Sequence, residues 1–312
     1  MVFKGRLGLD TARVPHTDRH GLMWLERGRL AVESGNLVFT TAGSDVLAAG
    51  RYDIPFQQVS SILLGPGGVV SHDALRLLAR QQTGLLAVGS KGVRLYASFM
   101  PFGPDRADRA RKHAELWADP EKRIDVVRAM YAQRLGGELP PHRRDLDSLR
   151  GLEGTRVRQV YRTMSQQYDI EWAGRRYDRS NPEDADLANK ALNHVVTAMY
   201  AAARVAVALT GTVPQLGFIH ESSGHAFALD IADLYRSTLT VPIAFRAVKR
   251  FQSRGGRTLE SVARKMAGRT LYEENVIPTM IDDIDDVLNL SEDEPDSEPD
   301  SDELDDDELD DA

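Results

Sequence analysis

A glutamate lies on the apolar face of a predicted helix, in the segment LRGLEGTRVRQVYRTM. Glu153 follows Leu149 by four residues and precedes Val157 by four, so it shares a helical face with apolar side chains. A buried, unpaired charge costs several kcal/mol, and Glu153 is therefore expected to be protonated, salt-bridged or metal-bound. The simplest interpretation is an internal ion pair with Arg150 or Arg156, because structural ion pairs are common.

Two glycines flank this glutamate within the same predicted helix. Gly151 and Gly154 each cost about 1 kcal/mol relative to alanine in a helix interior. Their presence indicates that something approaches the helix backbone closely at this point.

A second group of polar residues occurs in the segment GTVPQLGFIHESSGHAFALDIADLYR. Its apolar run ends at His220, a Ser-Ser-Gly turn reverses the chain, and a helix is predicted to begin near Ala226. Asp230 and Asp233 are three residues apart and share one face of that helix, and Asp230 also lies on its apolar stripe. Two acidic side chains that face a core favour a bound cation.

Together with Glu153 these residues form a candidate metal site with oxygen and nitrogen donors. Such a set suits Mg²⁺ or Mn²⁺, and the imidazole of His220 makes Mn²⁺ particularly acceptable, whereas zinc is less favoured by so many carboxylates. His220 alone would more often be structural than a ligand. His225 is interpreted as a loop residue, and His72 and His113 carry no specific signal for a metal.

The charge of the chain is strongly segregated. The net charge is -8, but eighteen acidic residues lie between Asp282 and Asp311, and no Lys or Arg follows Arg269. The remainder, Met1 to Ile281, has 39 basic and 29 acidic residues, a net charge of +10. This balance is typical of a protein that binds nucleic acid.

Basic side chains cluster near the candidate metal site in sequence, as a polyanionic substrate would require. The candidates for phosphate contacts are Arg76, Arg94, Arg150, Arg156, Arg158, Arg236, Lys249, Arg250 and Arg257. Cysteine is absent, which excludes disulfides, thiolate metal sites and cysteine nucleophiles. No P-loop, dinucleotide fingerprint or Ser-His-Asp motif competes with this interpretation.

The elements that must position these residues indicate an α+β fold. Short β-rich runs from Leu22 to Phe99, interrupted by one helix at SHDALRLLARQQ, predict a small, mostly antiparallel N-terminal β-domain (residues 1–103). Pro101-Phe-Gly-Pro104 marks the boundary to a larger all-α catalytic domain (104–290), and the acidic tail (291–312) is predicted to be disordered. The predicted helices are Arg106–Trp117, Pro120–Leu135, Asp147–Tyr168, Pro182–Thr210, Ala226–Tyr235, Pro242–Phe251 and Leu259–Met266.

Nothing in the sequence predicts a membrane or export signal. The N-terminal segment lacks the long apolar core of a signal peptide, and Arg204 interrupts the most apolar helical stretch, Val195 to Leu209. We therefore expect a soluble cytoplasmic protein.

Three ordered motifs resemble one known family, the CRISPR-associated spacer integrases that are the first of the numbered Cas proteins. LRGLEGTRVRQVY is similar to their first metal-ligand motif, DLANKALNHVVTAMY to their Asn-x-x-Leu-Asn helix, and VPQLGFIHESSGHAFALDIADLYR to their His-then-Asp motif. The resemblance extends from about Leu22 to Leu290 and is closest to the type I-E branch that accompanies the Cascade effector.

The resemblance implies roles for particular residues and for partners. Glu153, His220 and Asp233 would be the metal ligands, Asp230 an essential neighbouring acid, and Tyr200 and Arg94 would lie close to bound DNA. It also implies homodimers, two of which flank a dimer of a small ferredoxin-like partner subunit. Two positions depart from a close relative: Arg27 replaces a tyrosine that stacks on the end of the spacer duplex, and Ser223 replaces a lysine.

The expected reaction is a metal-dependent transesterification that joins the 3′-hydroxyl ends of spacer DNA to a CRISPR repeat. One alternative uses the same site for hydrolysis, as a structure-selective endonuclease on branched DNA. The other is a non-enzymatic DNA-bending scaffold whose acidic cluster is a structural ion-pair network. The acidic tail is interpreted either as a solubilising extension or as a competitor of nonspecific DNA on the basic surface.

Overall fold

A computed structural model of the protein describes residues 21–44, 47–99, 107–136, 146–175, 185–254 and 258–288. Four predicted features lie outside these ranges: the boundary at Pro101–Pro104, the helix start at Pro182, the candidate phosphate contact Arg257 and the acidic tail.

The N-terminal part contains eight strands and one α-helix among its described residues. In chain order these are β1 (Leu22–Leu25), β2 (Gly28–Glu33), β3 (Asn36–Thr41), β4 (Gly50–Asp53), β5 (Ser61–Leu64), β6 (Val69–Val70), α1 (His72–Arg80), β7 (Gly84–Val88) and β8 (Leu95–Phe99). Ser71 caps α1 by accepting the N–H of Ala74, as its position before the helix predicts.

The strands form two four-stranded sheets, in the orders β1-β5-β7-β8 and β4-β3-β2-β6. The predicted mostly antiparallel pairing is found only in part: β2–β3, β3–β4 and β7–β8 are antiparallel, whereas β1–β5, β5–β7 and β2–β6 are parallel. The chain passes from one sheet to the other between β1 and β2, so strands that follow one another in sequence are often not neighbours.

The C-terminal part is helical, as predicted. Its helices are α2 (Ala107–Ala118), α3 (Pro120–Leu135), α4 (Leu146–Tyr168), α5 (Leu187–Thr210), α6 (Ala226–Leu234), α7 (Val241–Arg254), α8 (Leu259–Glu273) and α9 (Val276–Val287), with a π-helical turn at Arg236–Thr240. The predicted helices omit α9, whose four aspartates obscure an apolar stripe that includes Ile277, Met280 and Ile284.

Helix α5 is the central helix of this part of the fold. It packs against α6, α7, α8 and α9, and most of its side chains are buried. It is long and apolar enough to cross a membrane by length and composition alone, but its place in the bundle accounts for that apolarity. Gly211 ends it in the left-handed conformation, directly after the predicted end at Thr210, whereas its N-cap is Asp186 rather than a residue near Pro182.

The first sheet packs against the helices and so links the two parts of the chain. Leu63, Leu86 and Val88 belong to the same apolar core as the helical residues, while the two sheets and α1 enclose a separate smaller core. The Trp24 ring on β1 meets the Tyr272 ring of α8 edge to face, with 5.9 Å between ring centroids.

Candidate metal centre and nucleic-acid interface

The carboxylate of Asp230 organises the loop that precedes α6. Asp230 is only 1% exposed, and its Oδ2 accepts the backbone N–H groups of Phe218 at 2.7 Å and Ile219 at 3.0 Å. Its Oδ1 accepts the backbone N–H of His220 at 3.0 Å. A Cβ at Gly217 would overlap the carbonyl oxygen of His220, so the tight fold of this loop requires glycine there.

The same carboxylate also orients the imidazole of His220. Nδ1 of His220 lies 2.6 Å from Oδ1 of Asp230, and this hydrogen bond raises the pKa of His220 despite its partial burial. A ring held by Nδ1–H to a carboxylate presents Nε2 as its free nitrogen, which is the usual arrangement of a metal-ligating histidine. Here Nε2 faces Oδ2 of Asp233, 3.9 Å away.

Side chains of α2 and α3 form further hydrogen bonds to the backbone of the loop that carries His220. His113 is fully buried, with Nε2 2.8 Å from the carbonyl oxygen of Leu216, and the indole of Trp117 donates to the carbonyl oxygen of Gly217 at 3.0 Å. Arg123 donates to the carbonyl oxygen of Phe218. These contacts fix the loop backbone, and with it the position of the imidazole.

Glu153 lies on the inner face of α4, as predicted, but its ion pair is with a different arginine. The expected partners Arg150 and Arg156 are exposed on α4, whereas Nη2 of Arg134 lies 2.5 Å from Oε1 of Glu153. The same nitrogen is 3.5 Å from Oδ2 of Asp233. Arg134 therefore stands between the carboxylates of α4 and α6.

Asp233 is paired on its other oxygen with Arg236, at the start of the π-helical turn. Nη2 and Nε of Arg236 lie 2.6 and 3.2 Å from Oδ1 of Asp233. This guanidinium, a candidate for DNA contact by sequence, is thus already engaged by an acidic side chain of the site.

The four acids and bases selected from the sequence are brought together, and their donor chemistry fits a hard divalent cation. Arg134 links the two carboxylates, and the imidazole of His220 lies beside Asp233, a set of donor types that suits Mg²⁺ or Mn²⁺. The carboxylates of Glu153 and Asp233 already share a cation, the guanidinium of Arg134. In the part of the chain that the structure describes, no group of three or more His, Asp or Glu side chains is arranged to hold a metal ion.

Most of the predicted phosphate-binding side chains are on the surface. Arg76, Arg94, Arg150, Arg156, Arg158, Lys249 and Arg250 are exposed. A groove of about 1060 Å³ runs along α4 and is lined by Arg156, Arg158 and Arg162. A second cavity of about 420 Å³ brings Arg94 and Tyr200 together with Ser223, one of the two departures from the family pattern. The other departure, Arg27, occupies a left-handed conformation between β1 and β2.

Arg134 was not selected from the sequence, although a signal for it exists. It follows Met130 by four residues and Tyr131 by three, and both of these are fully buried on α3. The spacing that identified Glu153 on α4 therefore also places Arg134 on a buried face.

The sequence matches a known family model, and similar proteins have been described. The model "CRISPR associated protein Cas1" matches residues 22–140 and 137–258. Proteins named CRISPR-associated endonuclease Cas1 from Geobacter sulfurreducens and Escherichia coli K12 are each 35% identical to this chain. The matches cover 86% of this chain and 85% of the former protein, and 92% of this chain and 90% of the latter.

Solved structures agree with these matches. The crystal structure of the TtCas1–DNA complex is similar with a TM-score of 0.77 and 31% identity, over 87% of this chain and 97% of that one. A casposase bound to its integration product gives a TM-score of 0.60 at 15% identity, over 90% of this chain and 100% of that one, a likeness of fold alone. With a family match over most of its length and relatives more than 30% identical, the chain belongs to the Cas1 family of CRISPR-associated proteins.

Proposed function

We propose that this Cas1-family protein joins the 3′-hydroxyl ends of spacer DNA to a CRISPR repeat, by metal-dependent transesterification with a related endonuclease activity. The observation that carries the proposal is a connected set of contacts: Arg134 bridges Glu153 and Asp233, and Nε2 of His220 lies 3.9 Å from Asp233. That site lies beside an arginine-lined groove on α4, and a relative of 31% identity was solved as a DNA complex.

Each side chain has a role that follows from its contacts. Glu153, Asp233 and His220 would hold Mg²⁺ or Mn²⁺, which when bound lowers the pKa of the attacking hydroxyl and neutralises charge in the transition state. Asp230 keeps Nδ1 of His220 engaged, so that Nε2 faces the site. Arg156 and Arg158 would contact phosphates along the groove.

In the reaction, a spacer 3′-oxygen forms a bond to a phosphorus atom at the end of a repeat. The phosphodiester bond to the neighbouring nucleotide breaks, the attacking hydroxyl loses its proton, and the displaced 3′-oxygen gains one. His220, whose Nε2 lies 3.9 Å from Asp233, would transfer one of these protons in addition to ligating the ion.

Hydrolysis at the same site is the second candidate function, favoured by the name endonuclease that the curated relatives carry. Water would replace the spacer hydroxyl as the nucleophile, and the substrate would be branched DNA. Joined and hydrolysed products have different ends, so sequencing of the product ends separates these activities.

A non-enzymatic scaffold is the third candidate, favoured by the ion pairs that Arg134 and Arg236 make with Glu153 and Asp233. In a scaffold these pairs would be purely structural. DNA binding would then be indifferent to EDTA, and no divalent ion would occupy the site.

The assembly that we propose is a homodimer in the cytoplasm, with two dimers flanking a dimer of the ferredoxin-like partner subunit. Light scattering of the purified protein, alone and with the partner, measures these masses. If the protein is a monomer that does not bind the partner subunit, the proposed assembly is contradicted. The proposed reaction is tested separately.

The activity is tested by incubating the protein, its partner and a 3′-hydroxyl duplex with a supercoiled plasmid that carries the repeat and Mn²⁺. Integration is expected to be lost in Glu153→Ala and Asp233→Ala. The matched control is Glu260→Ala, which removes an acid that pairs with Arg264 on α8 and should integrate normally. Unchanged integration in both site variants would refute the assigned site.

A further inference from the structure

The guanidinium of Arg134 is buried at the centre of the candidate metal site. The residue lies in the last turn of α3 and is only 7% exposed. Its Nε and Nη2 atoms make no hydrogen bond to any described residue, although Nη2 lies 2.5 Å from Oε1 of Glu153. The contact is therefore one of charge rather than of aligned N–H groups.

Burying a guanidinium is costly unless acidic groups compensate it, and here both acids come from other helices. Glu153 lies on α4, Asp233 on α6, and the shared nitrogen is 2.5 and 3.5 Å from their oxygens. Without a cation between them, these two carboxylates would repel each other. Arg134 thus supplies the positive charge that a divalent ion would supply.

We propose that Arg134 is an internal counter-cation that competes with the divalent ion for the carboxylates of Glu153 and Asp233. The inference rests on the proposed metal site and adds a determinant of its affinity. An ion can coordinate these oxygens only after the guanidinium has moved away from them, and that displacement reduces the apparent affinity for the ion. Arg236 differs because its ion pair among the described residues is with Asp233 and does not bridge to Glu153.

The test measures Mn²⁺ binding to the full-length protein by titration calorimetry, in the absence of DNA. Arg134→Gln is expected to bind Mn²⁺ about tenfold more tightly than the wild type, because the competing charge is lost. Arg134→Lys retains the charge and should keep the weaker affinity. Arg269→Gln is the charge-matched control, since Arg269 pairs with Glu273 on the exposed surface of α8, and its affinity should not change.

Glu153→Ala separates failure of this inference from failure of the proposed metal site. If Glu153→Ala loses Mn²⁺ binding while Arg134→Gln binds no more tightly than the wild type, only the role of Arg134 is refuted. If Glu153→Ala binds Mn²⁺ as the wild type does, the proposed metal site itself is refuted.

A crystal structure of the wild type with Mn²⁺ provides the test should Arg134→Gln not fold. The guanidinium is expected to be displaced from Oε1 of Glu153 by an ion on the two carboxylates. An ion on both carboxylates with the Arg134–Glu153 contact intact would overturn the inference.

Discussion

The carboxylate of Asp230 uses both oxygens on N–H donors from the preceding loop and on the ring of His220. With its oxygens engaged in this way, Asp230 orients His220 and fixes the loop, while Asp233 faces the centre of the site. The two aspartates are three residues apart on one helix, yet their contacts assign them different tasks.

Replacing Asp230 by asparagine should destabilise the protein and weaken the metal site together. The amide group would place N–H donors against backbone N–H groups, and each hydrogen bond to a charged acceptor is worth about 1.5–3 kcal/mol. We expect Asp230→Asn to lower the free energy of unfolding by about 3 kcal/mol in urea titrations, and Mn²⁺ affinity to fall about tenfold or more. Asp286→Asn, at an exposed position of α9, should change neither quantity. Wild-type stability in Asp230→Asn would contradict this account of the loop.

His113 makes the stability of the same loop dependent on pH. Its Nε2–H donates to the carbonyl oxygen of Leu216, and Nδ1 accepts the N–H of Val213 at 3.2 Å, so both ring nitrogens are satisfied only in the neutral form. Burial lowers the pKa of His113 from 6.5 to about 4. The unfolded chain therefore binds a proton that the folded chain excludes, and this contribution to stability is present above pH 6.5 and lost as the pH falls towards 4.

We expect the wild type to lose about 2 kcal/mol of stability from this group between about pH 7.5 and pH 5. Other ionisable groups also titrate in this range, so the measurement is a comparison of urea unfolding with His113→Gln at both pH values. The difference in stability between the two proteins should shrink by that amount at the lower pH. A difference that stays constant with pH would show that His113 is not kept neutral by the fold.

The candidate site was predictable to the extent that its residues break a local pattern. Glu153 interrupts the apolar stripe of one helix, and Asp230 lies on the apolar stripe of another. The helical spacing of apolar residues therefore identified both acids as unusual. The partner of Glu153 was predicted wrongly because proximity in sequence favoured Arg150 and Arg156, whereas Arg134 reaches Glu153 only through the packing of α3 on α4. No local pattern distinguished His113, whose role depends on a loop a hundred residues away.

Helix α4 carries two glycines that its own structure does not explain. Neither Gly151 nor Gly154 has a positive φ, and a Cβ on either would meet no described atom within 4 Å. The close approach predicted from the sequence is thus not made by any described part of this chain. Gly151 lines the groove that also contains Arg156 and Arg158, and we expect DNA to approach the helix there.

Alanine at these positions should raise stability and weaken DNA binding at the same time. Gly151→Ala and Gly154→Ala are each expected to stabilise the protein by about 1 kcal/mol, since the helix gains propensity and nothing described is displaced. Affinity for a spacer duplex, measured by fluorescence anisotropy, should fall if the DNA backbone contacts this face. Ser237→Ala, in the same groove, controls for a change in side chain without a change at the helix backbone. Full DNA affinity in both glycine variants would remove the explanation by close approach.

The helices were more predictable than the sheets for a physical reason. A helix is held by contacts within about four residues, so periodicity and caps placed α3 at Pro120–Leu135 as the structure has it. Strand pairing depends on distant segments: β1 pairs with β5 nearly forty residues later, and β2 with β6. Short apolar runs therefore indicated strands correctly but not whether they run parallel.

Across the whole chain, the positive charge of the body and the negative charge of residues 291–312 oppose each other. The exposed arginines of α4 face solvent, as do Arg246, Lys249 and Arg250 of α7, and the terminal 22 residues carry fourteen acidic side chains. A polyanion attached to a basic protein competes with DNA for the same side chains whenever its reach allows, and 22 extended residues span up to about 70 Å.

Deleting residues 291–312 raises the net charge from -8 to +6 and should tighten binding to duplex DNA without a repeat. The gain is expected to be several-fold at roughly 50 mM salt and to fade at roughly 300 mM, because screening weakens both the tail and the DNA contacts. Fluorescence anisotropy of a labelled random duplex measures both conditions. A tail of equal length with Asn and Gln in place of its acids should behave like the deletion, which separates charge from bulk. Identical affinities for the full and shortened chains at low salt would leave the tail as a solubilising extension, whose removal would then lower the protein concentration at which precipitation begins.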